Sequence, residues 1–141
     1  MTPLAQKLGI HPGDRVALVG APDGFATTLG ELPSGTRIVR RLGGRFDVIV
    51  AFHAWRTPLE RRLPALRAAL EPAGGLWISW PKRASGEDTD LTDGVVRELG
   101  LAAGLVDNKV CAIDATWSGL RFVCRRADRA FRATSGGGGR M

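Results

Sequence analysis

Cysteine is scarce in this chain of 141 residues: Cys111 and Cys124 are the two present, and their separation matches no metal-ligand spacing. If the last turn centres on Trp117-Ser118, the pair would face each other across two antiparallel strands. A disulfide could then close, but in a cytoplasmic protein the expectation is reduced, buried thiols. Long apolar runs are also missing, and none approaches the length of a membrane span. The opening Met-Thr-Pro-Leu-Ala-Gln-Lys has no apolar signal-peptide core, which predicts a cytoplasmic protein without membrane contact. Lysine is rare as well, at 3 residues against 17 arginines. With alanine and glycine abundant, that ratio can reflect genomic base composition as much as function.

What is present suits one folded domain. Hydrophobic residues make up 44% of the chain and its mean hydropathy is −0.03, as in globular proteins rather than disordered ones. The length suffices for one core and not for two. The net charge of +6 invites a nucleic-acid reading, so its location matters. From Arg125 onward five arginines stand against Asp128 alone, which leaves the preceding residues at only +2. The sequence therefore divides into a domain over residues 1–125 and a basic, glycine-rich tail over 126–141 that reads as disordered. Phosphate contacts through that tail would make nucleic acid a partner, although charge alone argues it weakly.

Along the chain, Thr2-Pro3 and Gly9 bracket a short helix. The turn His11-Pro-Gly-Asp14 leads into a buried strand over 15–19, and residues 25–32 have room for two helical turns. A strand is expected over 36–42. Phe46 to Phe52, read FDVIVAF, is a continuous apolar run suited to a central strand covered on both faces. Leu59, Leu63, Leu66 and Leu70 share one face of a helix over 58–70, which Pro64 should bend or split. LWISW (76–80) is a fourth strand. A polar connection over 81–90 precedes a helix over 92–99, stopped by Gly100, and two strands over 108–113 and 120–124 close the domain. The order is α/β: a mostly parallel sheet of about six strands, helices on both faces, and a C-terminal antiparallel hairpin.

Three stretches carry a family resemblance. HPGDRVALVGAPDG (11–24) resembles the first strand and glycine loop of the methyltransferase variety of Rossmann-like fold. RFDVIVAF (45–52) resembles its central strand, and ALEPAGGLWISWPK (69–82) resembles the helix end, turn and fifth strand. Residues 2 to 125 as a whole also resemble a family of small bacterial proteins catalogued as a domain of unknown function. The resemblance implies a shortened methyltransferase-like domain, because only Gly43, Gly44 and Arg45 separate the second strand from FDVIV, where the fold usually has another strand–helix unit.

The same resemblance implies a cofactor loop at Gly20, Ala21, Asp23 and Gly24. Its glycines would let the backbone approach S-adenosylmethionine. Four residues speak against that cofactor. Pro22 replaces the middle glycine, Leu18 stands where an acid is expected inside the strand, and Arg40 and Arg41 end the second strand where an acid would hold the ribose. The loop therefore reads as a remnant.

In an open parallel sheet, ligands bind beyond the carboxyl ends of the strands. Arg40, Arg41, His53, Trp55, Lys82, Arg83 and Trp117 all fall there, with Arg56 and Asp114 beside them. They suit an anionic small molecule or a protein partner, since arginine offers paired donors and tryptophan a stacking face. Equally, they can be solvated loop ends. His53 is the one candidate general base, without an acidic neighbour in sequence to orient it. Trp77 and Trp80 should point to opposite faces of one strand, and Trp117 at a hairpin tip is expected to be exposed. The acids of 87–93 lack the register of a calcium loop, so no metal site is assigned. Three readings result: a non-catalytic binding module, an S-adenosylmethionine-dependent methyltransferase or other nucleotide-using enzyme, and a nucleic-acid-associated protein.

Overall fold

The structure, a computed structural model, describes residues 3–125. The tail over 126–141 and the capping role read for Thr2 lie outside them. The elements follow the order read from the sequence: α1 (Leu4–Lys7), β1 (Arg15–Val19), α2 (Phe25–Leu29), β2 (Arg37–Val39), β3 (Phe46–Phe52), α3 (Arg56–Ala68), β4 (Leu70–Pro81), a 3-10 turn (Arg83–Ser85), α4 (Asp93–Ala102), β5 (Leu105–Ala112) and β6 (Trp117–Cys124).

They form one six-stranded sheet in the order β2-β1-β3-β4-β6-β5. Strands β1 to β4 run parallel, and β6 is antiparallel to both its neighbours. This is a methyltransferase-like α/β fold. One face packs Leu59, Leu63 and Leu66 of α3 and Val96 and Leu99 of α4 against Ile49, Ile78 and Trp80. The other packs Ala5 and Leu8 from the α1 segment and Phe25 and Leu29 of α2 against Val48, Val50 and Trp77. Trp77 and Trp80 thus serve opposite faces, and Trp77 donates its indole N–H to the Leu8 carbonyl at 3.0 Å.

Several boundaries differ from the sequence reading. β2 is confined to three residues, while β4 starts at Leu70 and shifts register against β3 between Phe46 and Val48. Helix α3 continues through Pro64. Helix α4 also continues through Gly100 to Ala102, and the glycine there serves packing, since a methyl group at position 100 would overlap the buried Phe122 ring. Gly104, at φ +89°, ends that stretch instead. Finally, Asp114 accepts hydrogen bonds from the amides of Thr116 and Trp117, both at 2.8 Å, so the hairpin turns at 114–116. Cys111 consequently lies opposite Gly119, and Cys124 opposite Leu105. The expected facing of the two cysteines is corrected: each lies opposite another residue, and no disulfide joins them.

Candidate functional site

Strand β1 has β2 on one side and β3 on the other, so strand order reverses between β1 and β3, and a crevice is expected at their carboxyl ends. Gly20 leaves β1 at φ +69°, and a Cβ there would lie 3.0 Å from the Phe52 carbonyl oxygen. The glycine thus permits a close approach between the ends of the two strands. Gly24 caps α2 at φ 83°, and α2 has only five residues, too few for a developed helix dipole. Ala21 packs against the core and Asp23 is exposed. Phe25 and Phe52 meet edge-on with ring centroids 4.9 Å apart, and Phe52 meets Trp117 in the same way at 5.1 Å. A chain of three aromatic rings therefore runs from α2 past the carboxyl end of β3 to the amino end of the antiparallel β6. Trp117 is half-buried within it, which corrects the expectation of an exposed tip. Trp55 is the exposed tryptophan, at 48%.

The remaining candidates are spread along the same edge. Arg40 and Arg41 are exposed beyond β2, Lys82 is half-buried after β4, and Arg83 is exposed in the 3-10 turn. Among the described residues none of these four cations has an acidic partner within 4.0 Å, whereas Arg56, Arg97 and His11 each have one. His53 donates its backbone N–H to the Ser79 carbonyl, and its buried Nδ1 has no hydrogen-bond partner. Burial, with a smaller contribution from the Arg62 charge, lowers its pKa to about 4. The ring is therefore neutral at physiological pH. Asp47, the nearest acid in the same strand, accepts from the Arg15 amide at 2.9 Å and so joins β3 to β1.

Lys82 and Arg83 are brought together. They line a cavity of about 710 Å³ with Trp80, Glu87, Asp90, Asp93, Val110 and Ser118. The connection over it is structured: Thr89 Oγ1 donates to the Ala54 carbonyl at 2.6 Å, and Asp90 Oδ1 accepts from the Arg56 amide at 2.7 Å. Sequence reading gave Asp90 no role, because a cap supplied from 34 residues away leaves no local signature. It also missed Trp80 and Ser118 as lining residues, which only the β4–β6 pairing brings together. A second cavity, of about 960 Å³, lies between α1 and residues 28–34. Arg40, Arg41, His53, Trp55 and Trp117 line neither cavity. Among the described residues no group of three His, Cys, Asp or Glu could hold a metal ion, and no helix is long and apolar enough to cross a membrane.

No protein-family model matches the chain, and no curated protein does. Solved structures do. Magnesium protoporphyrin IX methyltransferase from Synechocystis PCC 6803, with SAH bound, superposes with a TM-score of 0.58 at 12% identity, over 81% of this chain and 75% of that one. CalO1, a methyltransferase in calicheamicin biosynthesis, gives 0.62 at 17% identity, over 86% of this chain and 52% of its own. This chain thus spans about half of CalO1. A SAM-dependent methyltransferase from Aquifex aeolicus gives 0.56 at 14% identity, over 84% and 86%. These likenesses are of fold.

Proposed function

We propose that the chain is a non-catalytic binding module, a shortened relative of the methyltransferases that holds an anionic small molecule or an acidic protein surface at the carboxyl end of its sheet. One observation carries this reading. At the strand reversal, where open α/β sheets take their ligands, Phe25 and Phe52 are 1% and 5% exposed and pack on each other. A cofactor entering between β1 and β3 would have to displace two core rings. Arg40 and Arg41 add to the case, since guanidinium groups repel no phosphate but offer no acceptor to ribose hydroxyls.

A second reading is methyl transfer from S-adenosylmethionine, favoured by the fold that the chain shares with proteins solved with that cofactor or its product. Tryptophan-fluorescence melting of the full chain with millimolar S-adenosylhomocysteine separates the two. A ligand at about a hundredfold its Kd would add about 2.7 kcal/mol and raise the midpoint by several degrees. The binding-module reading expects an unchanged midpoint. A rise of several degrees would overturn it in favour of a cofactor-using enzyme.

A further inference from the structure

The positive charge of the described residues is concentrated in one stretch of chain. Residues 37–67 carry eight arginines against Asp47 and Glu60, whereas the other described residues carry eight lysines and arginines against eleven acids. Both acids of the stretch are committed: Asp47 accepts from the Arg15 amide, and Glu60 pairs with Arg56. Arg37, Arg40, Arg41, Arg45, Arg61 and Arg62 are exposed. Among the described residues none of these six has an acidic partner within 4.0 Å.

The fold gathers these cations on one side. Val39 and Leu42 pack on the same core cluster as Leu59, Leu63 and Leu66, so the crossover from β2 to β3 lies on the α3 face of the sheet. Arg56 reaches Glu98 of α4, and the Arg67 guanidinium lies against Gly104, which turns that flank of α3 towards α4. Helical spacing then sets Arg62 on the opposite flank, towards the crossover, and Arg61 on the outward face. Arg62 also acts electrostatically on His53, which brings its charge to the carboxyl end of β3. Trp55 supplies an independent observation: it stands at that end, immediately before α3, and keeps 48% of its surface exposed. An indole left in water beside unpaired guanidinium groups offers a stacking surface. Neither Trp55 nor any of the six arginines lines either cavity described above. The surface is open, and suits a polymer laid across it better than an enclosed small molecule.

We propose that this surface binds single-stranded nucleic acid, with backbone phosphates on Arg40, Arg41, Arg61 and Arg62 and a base stacked on Trp55. Protein–protein interfaces are depleted of charge at their centre, whereas nucleic-acid interfaces are strongly positive, and here one aromatic stands among six cations. Stacking on an exposed indole takes an unpaired base, which favours a single strand over a duplex. The inference goes beyond the binding-module reading, since the partner is neither a small anion nor a protein. It places the contact within residues 37–67 rather than on the arginines beyond position 125.

Fluorescence anisotropy of a labelled oligothymidylate of about 15 nucleotides, titrated with the full chain, tests it. Saturable binding at micromolar protein is expected, weakening steeply as salt rises. Arg40→Gln, Arg41→Gln, Arg61→Gln and Arg62→Gln together should weaken it by about tenfold or more and reduce the slope of log affinity against log salt by about 2 to 3. Arg126→Gln, Arg129→Gln, Arg132→Gln and Arg140→Gln together remove the same charge from the tail and should cost less than about threefold. Trp55→Leu should weaken binding by about fivefold or more, with Trp55→Phe in between. The four domain arginines and Trp55 are exposed, so these variants should melt as the parent does. No saturable binding, an equal or larger loss in the tail variant, or polyglutamate that competes as well as unlabelled oligothymidylate would overturn the proposal. A melting response to S-adenosylhomocysteine overturns the binding-module reading instead and leaves this surface standing, so the two failures are distinguishable.

Discussion

Burial and the Arg62 guanidinium both act against a proton on His53, whose pKa falls from 6.5 to about 4. The unfolded chain takes up that proton as pH drops through 6.5, and the folded chain resists until about 4. The resulting stabilisation is complete above the upper value and is lost as pH falls towards the lower one. Replacing His53 with Gln should shrink the acid-induced loss of stability, measured by urea unfolding from neutral pH to about pH 4.5, by on the order of 1 kcal/mol after allowance for solvent screening. An identical loss in both proteins would contradict the assignment. Residue-level features were unevenly legible in the sequence. That Trp77 and Trp80 point to opposite faces followed from strand alternation. Gly100 read as a helix stop because glycine usually ends helices, whereas here it admits the Phe122 ring. Trp117 read as a tip residue because the Asp114 side chain that sets the turn was not recognised as doing so.

At the scale of elements, continuous apolar runs bounded by turn residues located β1 and β3 closely, since both are buried from each side. Ends set by tertiary contact were less legible. β4 begins six residues before LWISW because Leu70 pairs with Phe46 across an irregular register. The last hairpin was displaced by its turn and by a register shift between Asp107 and Lys109. The N-terminus of α3 depends on a partner that no local pattern reveals: Asp90 Oδ1 accepts the Arg56 amide hydrogen at 2.7 Å. Asp90→Ala should cost about 1 kcal/mol in chemical unfolding. It should also speed hydrogen exchange at the Arg56 amide, while Asp90→Asn, which keeps an acceptor, stays close to the parent. Equal effects of the two substitutions would assign the loss to something other than the cap.

For the whole molecule, alternation of element types and the preference for right-handed crossovers sufficed to read the architecture, down to one antiparallel strand at the end. The edge role of the second strand was also legible, and its arginines are charges that discourage pairing with another sheet. The candidate site was legible only in part. Sequence placed a row of cations and aromatics at the carboxyl ends of the strands, but the choice among them depends on packing. Phe25 and Phe52 fill the strand reversal, while Lys82 and Arg83 open onto a cavity. The central claim is that the β1–β3 crevice is core and not a cofactor site. Residue-resolved amide NMR of the full chain, titrated with S-adenosylhomocysteine, tests it most directly. The resonances of Gly20, Gly24, Arg40 and His53 are expected to stay in place at millimolar ligand. Saturable shifts centred on Gly20 and Gly24 would contradict the account and establish the loop as a working cofactor site.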